Sequence, residues 1–285
     1  MISAPPANLK TCDNSPLEVE PLSCALTIAT SDSGAGAGIQ ADLKTFAALK
    51  VYGLSVISAV TAQNSLAVTG LECLSPDLVR AQLQALYDDF PIRAIKIGLL
   101  GDAANTRATA DFLSEKYAGV PIVLDPVMVS TSGHTFLPAE AVEALKALMK
   151  LSAVITPNLP EARVLAGLEI RDDGERLKAA EKLLATGAGH VLIKGGHGRE
   201  AEANDLLYGP EGPVWIKGPR IDTPNTHGTG CTLSSAIAAY LARGNSLVEA
   251  VSLAKDYVTE GLRHSLRPGH GPGPLNHFHQ FYKLG

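Results

Sequence analysis

The chain has 285 residues, of which 46% are hydrophobic and 19% charged, and its formal net charge is -5 at pH 7. The apolar content is enough to form a buried core, whereas scattered lysines and arginines provide no field for nucleic acid or anionic lipid. The longest apolar run, residues 53–62, is far shorter than the ~20 residues that a membrane-spanning helix needs. These properties exclude nucleic-acid and membrane-spanning functions.

Residues 1–22 contain four prolines among polar residues and lack apolar periodicity, which predicts a flexible N-terminal extension outside the fold. No secretory leader is recognised there, and the four cysteines form no C-x-x-C pair, so we expect a cytoplasmic protein. Residues 23–285 show no repeat and no internal linker. We therefore expect them to form one domain.

From residue 25 onward, short β-rich runs alternate with segments of helical period, which is typical of a parallel sheet with helices on both faces. Strands are predicted at 25–30, 54–61, 93–98, 121–125, 153–156 and 190–195. A hairpin is predicted from 204–208 and 214–217, joined by residues 209–212. Helices with one buried stripe are predicted by two sets of apolar positions, Val79, Leu83, Leu86 and Phe90, and Val142, Leu145, Leu148 and Met149.

A glycine-rich turn, Asp222-Thr-Pro-Asn-Thr-His-Gly-Thr-Gly-Cys231, leads into a predicted helix. Gly228 and Gly230 allow a ligand to approach the backbone, and the free amides of a first helical turn suit the charge on a transferring phosphoryl group. Cys231 stands where a helix start is expected to lower the pKa of a thiol. Alone, a G-x-G before a helix is more often an ordinary helix start.

The stretch Gly228-Thr-Gly-Cys231 resembles the anion-hole signature of ribokinase-like kinases, most of which carry aspartate at the last position. Cysteine there is typical of hydroxymethylpyrimidine and phosphomethylpyrimidine kinases and of relatives that phosphorylate pyridoxal. Residues 31–45, SDSGAGAGIQADLKT, are similar to the opening motif of the pyrimidine kinases. The resemblance extends to about residue 279. It implies an α/β, ribokinase-like three-layer sandwich, with a mostly parallel central sheet and helices on both faces.

The resemblance also implies the substrates and the residues that contact the acceptor. The acceptors would be hydroxymethylpyrimidine and its monophosphate, giving the pyrophosphate used in thiamine biosynthesis. Asp42 and Gln63 would hydrogen-bond the aminopyrimidine ring, with Val127 against the ring, Gly34 in the opening loop and a mobile flap within residues 125–134. Without the resemblance, Asp42 is more readily interpreted as a solvated helix residue, and Gln63 as a strand-end residue that caps the backbone.

ATP and Mg2+ are the cofactors that the resemblance implies. The nucleotide would be held by Lys194, Asn158, Thr226, Thr229 and Lys255, and the metal by Glu161 and Asp125. The spacing of Asn158 and Glu161 fits a helix capping box equally well. Such kinases are commonly homodimers. A dinucleotide site at Gly34-x-Gly36-x-Gly38 is disfavoured because the third glycine comes one residue early.

The catalytic set is expected to comprise Cys231, Gly228, Gly230 and Lys194. Cys231 would accept the proton of the alcohol in the first reaction, whereas the monophosphate of the second is already anionic and needs no strong base. His227 is a second candidate base. Thr30 and Ala35 depart from the resemblance, since glycine is common at both positions.

Two alternative functions remain open. One keeps the fold and changes the acceptor to pyridoxal or pyridoxine. The other is a non-catalytic sensor of a pyrimidine ligand, which the intact phosphoryl-transfer residues disfavour. His277 and His279 form an H-x-H motif near the end of the chain, but no third ligand is evident and we assign them no metal.

Overall fold

A computed structural model of the protein describes residues 22–128, 139–196 and 202–281. The extension predicted for residues 1–22 lies outside these ranges except for Leu22, as do residues 129–134 of the predicted flap. Within the described ranges Cys24, Cys73 and Cys231 are free thiols. No helix in the same ranges is both long and apolar enough to cross a membrane.

One sheet of nine strands runs through the described residues, in the order β3-β2-β1-β4-β5-β6-β7-β8-β9. The bounds are β1 Cys24–Asp32, β2 Tyr52–Gln63, β3 Val68–Cys73, β4 Ile92–Ile97, β5 Ile122–Leu124, β6 Val154–Ile155, β7 Val191–Ile193, β8 Asp205–Gly209 and β9 Gly212–Ile216. The six strands from β2 to β7 in this order are parallel, while β3, β8 and β9 are antiparallel to their neighbours.

Helices cover both faces of the sheet. Their bounds are α1 Gly38–Ala48, α2 Pro76–Tyr87, α3 Ala103–Lys116, α4 Ala139–Leu151, α5 Leu159–Ala166, α6 Asp173–Leu184, α7 Thr229–Ala242 and α8 Leu247–Arg263. Side chains of α2 to α6 pack in one apolar core, and those of α1, α7 and α8 pack in a second core on the opposite face. The predicted ribokinase-like three-layer sandwich is confirmed.

The sequence periodicity predicted most of these elements. Val79 and Leu83 of α2 are fully buried, whereas Phe90 lies beyond the end of that helix. In α4, the side chains of Leu145, Leu148 and Met149 are buried; the side chain of Val142 is outside the described part of the chain. The hairpin formed by β8 and β9 is present. The edge strand β3 was not predicted, because most of its side chains are partly or fully exposed.

The topology brings polar side chains to one edge of the sheet. Asp32 and Gln63 end β1 and β2. Asp125, Thr156 and Lys194 each follow closely after β5, β6 and β7. Because the carboxyl ends of parallel strands face the same edge, these side chains surround a common space, as ligand sites in open α/β sheets do.

Candidate active site

A cavity of about 880 Å3 opens at this edge of the sheet. Most of the predicted site residues line it, namely Gln63, Asp125, Val127, Asn158, Glu161, Lys194, Thr226, Gly228, Thr229, Gly230, Cys231 and Lys255. Asp42 and Gly34 are the two predicted residues that do not line it. Lys96, Asp32 and His227 do line it, although the first two were not among the predicted site residues.

Residues 225–230, which we call the anion loop, lead directly into α7. Position 228 of this loop has a backbone conformation that favours glycine. Gly228 caps the helix in the left-handed region, with φ of 74°. A Cβ atom there would lie 1.8 Å from the carbonyl oxygen of Gly36. At the start of α7, the Thr229 amide donates to Thr226 O at 3.2 Å and the Thr232 amide donates to Gly228 O at 2.9 Å. The amides of Gly230 and Cys231 thus remain available to an anion.

Cys231 is half-buried in the first turn of α7. Burial raises the pKa of its thiol to about 11, although the charge of Lys96 and a hydrogen bond from the Gly38 amide act in the opposite direction. The prediction that the helix start lowers this pKa is therefore wrong. Loss of water around the sulfur outweighs the favourable backbone dipole.

Lys194 and Asp125 form a buried ion pair beside the anion loop. The Lys194 Nζ lies 2.9 Å from Asp125 Oδ1, and the carboxylate also accepts hydrogen bonds from Thr156 Oγ1 at 3.2 Å and Ser234 Oγ at 3.4 Å. A Cβ on Gly230 would lie 3.3 Å from the Lys194 Nζ. The lysine therefore faces the same space as the first amides of α7.

The Glu161 carboxylate both caps helix α5 and lines the cavity. It forms a capping box with Asn158: the Asn158 amide donates to Glu161 Oε2 at 2.8 Å, and the Glu161 amide donates to Asn158 Oδ1 at 2.9 Å. The side chain is nevertheless in the cavity wall and only 6% exposed. Burial raises its pKa to about 7; Lys194 lowers the pKa, while the negative charge of Asp125 raises it.

Asp42 occupies a different position from the one predicted. Its side chain is fully buried in an ion pair with Lys96, whose Nζ lies 2.9 Å and 2.8 Å from the two carboxylate oxygens. Those oxygens also accept hydrogen bonds at 2.6 Å from Ser235 Oγ and Thr27 Oγ1. The prediction that Asp42 contacts an acceptor is wrong for this structure, because its oxygens are occupied and it lies behind the cavity wall.

The opening loop is organised around Asp32. Its carboxylate accepts hydrogen bonds from the amides of Gly34 at 2.8 Å, Gly36 at 3.0 Å and Ala37 at 2.8 Å. Burial alone would raise the pKa of Asp32, but hydrogen bonds from His227 and from these amides lower it below its ordinary value. Gly34 is exposed, and its amide has a structural role in this loop.

His227 joins the opening loop to the anion loop. Its Nε2 lies 3.3 Å from Asp32 Oδ2 and 3.4 Å from the Gln63 amide nitrogen. Since an ionised Asp32 can only accept, the ring donates through Nε2, and this nitrogen has no lone pair left for a proton. His227 is therefore suited to hold Asp32 in place and unsuited to act as a base through Nε2, and the same nitrogen cannot accept from the Gln63 amide group, which is also a donor.

The two departures from the family pattern are accommodated differently. Thr30 is buried in the cavity wall and donates to Leu99 O at 2.9 Å. Ala35 adopts the left-handed region with φ of 59°, a conformation that costs an alanine about 1 kcal/mol relative to glycine. Lys255, predicted to contact phosphate, lies in the wall with its ammonium 2.9 Å from Asp205 Oδ2.

This edge of the sheet combines an anion-binding helix start, a lysine and two buried carboxylates in a cavity large enough for a nucleotide and a small acceptor. Such a combination binds a nucleotide's phosphates and neutralises the charge that develops in phosphoryl transfer. The fold and the site together define a small-molecule kinase of the ribokinase-like class.

The chain belongs to the phosphomethylpyrimidine kinase family, whose sequence model matches residues 32–276. It is 49% identical over 263 residues to a hydroxymethylpyrimidine/phosphomethylpyrimidine kinase of Rhizobium meliloti, covering 91% of this chain and 98% of that protein. A Clostridium difficile phosphomethylpyrimidine kinase structure is 42% identical, with a TM-score of 0.75, over 83% of this chain and 98% of that one. The ADP complex of Bacillus subtilis pyridoxal kinase is 37% identical, with a TM-score of 0.85, over 93% and 100%.

Proposed function

We propose that the protein transfers the γ-phosphoryl group of ATP first to the hydroxymethyl group of an aminopyrimidine and then to the resulting monophosphate. The observation that carries this proposal is the shared cavity. Its lining presents the amides of Gly230 and Cys231 beside Lys194, and Gln63, at the end of β2, belongs to the same lining. The product would be the pyrimidine pyrophosphate needed for thiamine biosynthesis.

The residues of the chain divide between the two substrates. Lys194 and the first amides of α7 would bind the transferred phosphoryl group and withdraw its charge as the bond to the leaving group breaks. Gln63 has a carboxamide that both donates and accepts, which matches the mixed edge of an aminopyrimidine. Val127 supplies an apolar surface in the same lining.

Magnesium fits the carboxylates next to Lys194. Glu161 is buried near Asp125, and its pKa of about 7 shows that an additional cation would stabilise its ionised form. Oxygen ligands of this kind suit Mg2+, which commonly keeps several waters. When bound, the ion would neutralise charge on the nucleotide phosphates, with Glu161 and Asp125 holding it.

The direct test is ADP release from purified protein and MgATP with hydroxymethylpyrimidine, its monophosphate or pyridoxal at equal concentrations. Turnover with both pyrimidines and little with pyridoxal is the expected result. The pyridoxal kinase with a TM-score of 0.85 makes pyridoxal the second candidate acceptor. A pyridoxal preference would establish that alternative, and binding without turnover of any acceptor would identify a sensor.

Cys231→Ala is expected to lower the turnover number with the alcohol by roughly 100-fold, the usual contribution of a general base. The sulfur lies near the Lys96 charge and accepts from the Gly38 amide, both of which favour the thiolate, the form of the side chain that can accept a proton. The monophosphate brings its own negative charge, so its turnover should fall less than tenfold. Parallel steady-state assays with the two acceptors check this, and an equal loss with both would refute the role.

The magnesium affinity should increase as the pH rises from 6 to 8, because Glu161, with a pKa of about 7, must lose its proton to bind the ion. The sign for stability is opposite: the pKa in the folded state lies above its ordinary value of 4.5, so without magnesium the protein loses stability as the pH rises from about 4.5 to about 7. Magnesium titrations of ADP release at each pH give the affinity.

The matched variant for this titration is Glu161→Gln, whose amide oxygen still accepts the capping hydrogen bond from Asn158. In this variant the pH dependence that belongs to Glu161 should disappear, leaving only that of the nucleotide. If wild type and variant show the same pH profile, Glu161 does not hold the metal.

A further inference from the structure

The C-terminal segment, residues 265–281, contacts the anion loop over much of its length. Ser265 Oγ accepts from Asn225 Nδ2 at 3.4 Å, and the Gly273 amide donates to Asn225 Oδ1 at 2.9 Å. The His227 amide in turn donates to Gly273 O at 3.1 Å. These contacts fix the backbone of the anion loop from outside the helix that it opens.

A second set of contacts reaches the first turn of α7 through His277. The imidazole is 4% exposed, and its Nε2 lies 3.1 Å from Thr232 Oγ1. The Thr232 hydroxyl donates its only hydrogen to Gly228 O at 2.9 Å. The ring must therefore donate from Nε2, and a continuous chain of hydrogen bonds runs from His277 through Thr232 to the carbonyl of Gly228.

The surroundings keep this histidine neutral. Burial, together with the charges of Lys44 on α1 and His279 in the same segment, lowers the pKa of His277 to about 4. On the side of α8, the Tyr257 hydroxyl donates to His277 O at 2.6 Å. At physiological pH the neutral His277 ring donates from Nε2, and this holds the Thr232 hydroxyl in one orientation.

The carbonyl at the end of this chain belongs to the residue on which the anion site depends. Gly228 is in the left-handed region, in contact with the Gly36 backbone. Its peptide unit sets the direction of the amides that follow. A shift of the first turn by a few tenths of an ångström would misalign those amides with the phosphoryl oxygens, and such donors contribute only when they are aligned.

We propose that the C-terminal segment is part of the phosphoryl-transfer apparatus, and that His277 is a positioning residue which orients the amides of the anion site through Thr232 and Gly228. This inference rests on the proposed kinase function. It gives a role to the first histidine of the H-x-H motif, which is hydrogen-bonded to Thr232 of α7. The second, His279, bonds Asn276 O at 3.1 Å and packs against the Tyr257 ring.

His277→Met, which fills the space without a donor, is expected to lower the turnover number roughly tenfold or more with both acceptors, leaving the acceptor KM within about twofold. His277→Gln, whose amide nitrogen replaces Nε2, should recover most of this loss. Thr232→Val should reproduce the loss. The double variant His277→Met/Thr232→Val should be no worse than either single variant, since both interrupt the same chain.

His279→Gln is the matched control, because it alters a histidine of the same segment that bonds Asn276 and packs against Tyr257 of α8. Affinity for MgADP with aluminium fluoride, relative to MgADP alone, provides a readout that general loosening of the segment would not change selectively. His277→Met should weaken the fluoroaluminate complex more than the MgADP complex, and His279→Gln should leave their ratio unchanged. Equal weakening, or additive effects of His277 and Thr232, would overturn the proposal.

Different outcomes would contradict the kinase function and the positioning role of His277. If wild type releases no ADP with any acceptor, the proposed function fails. If wild type is active and His277→Met is as active as wild type, the kinase function stands and the positioning role fails.

Discussion

Gly228→Ala is expected to abolish measurable phosphoryl transfer while the protein remains folded. The new Cβ would lie 1.8 Å from Gly36 O, a backbone atom that cannot rotate away, in a left-handed conformation that already disfavours alanine. The anion loop must therefore move relative to the opening loop. Since removal of one aligned donor costs about 10²- to 10³-fold in turnover, displacement of several should cost at least as much.

A glycine just beyond the other end of α7 provides a control for the strain that alanine suffers in the left-handed conformation. Gly244, just after α7, also has a positive φ, of 91°, yet a Cβ there would meet nothing within 4 Å. Gly244→Ala should therefore lose about 1 kcal/mol of stability and no activity. Single-turnover rates and thermal unfolding of the two variants separate the contributions. Retained activity in Gly228→Ala would show that the anion loop does not bind the transferred group.

Alternation of buried strands with helices of one apolar stripe was enough to predict the layers and most strands. This succeeded because the parallel strands are buried on both faces and therefore read as apolar runs, as 25–30 does in β1. The strand β3 has no such run, and its existence depends on pairing with β2. Local sequence cannot specify a pairing partner for an exposed edge strand.

Residues 222–231 lie at the cavity as expected, because this one short stretch contains both the turn and the helix start. Prediction failed where a partner is distant in sequence. Asp42 has the position of a helix-start carboxylate, but Lys96, 54 residues away, converts it into half of a buried ion pair. The position of Asp32 in the cavity lining and the contact of His277 with α7 were not foreseen, because their partners, His227 and Thr232, lie in a different part of the chain.

The raised pKa of Cys231 has a related cause. A helix start favours a thiolate only when water or another group can compensate for burial. Here the sulfur shares its surroundings with the carboxylates of Asp42 and Asp125, which raise the pKa, and with Lys96, which lowers it. The ionisation of the thiol is therefore set by the whole buried cluster.

Lys96→Met is expected to destabilise the protein by about 3–5 kcal/mol, because it leaves the Asp42 carboxylate buried without its counterion. Urea unfolding of wild type and variant at pH 7 measures this. Arg171→Met is the control, since its partner Glu175 forms an exposed pair and such pairs contribute about 1 kcal/mol or less. A cost below about 1 kcal/mol for Lys96→Met would mean that the buried pair is not electrostatically coupled.

The double variant Lys96→Met/Asp42→Leu separates stability from activity. Removing both charges should recover much of the lost stability, since apolar replacement of a buried pair is often nearly neutral. The remaining cost should be about 1–3 kcal/mol, because the hydroxyls of Thr27 and Ser235 lose their acceptor. Ser235 lies one turn after Cys231 on α7.

If the pair serves only the fold, this double variant should phosphorylate the alcohol at the wild-type rate. We expect the rate with the alcohol to remain lowered, because the lost Lys96 charge, which favours an ionised Cys231, has a larger effect than the opposing Asp42 charge that is removed with it. The rate with the monophosphate, which needs no base, should fall less. A recovered rate with the alcohol would limit the Lys96–Asp42 pair to a structural role.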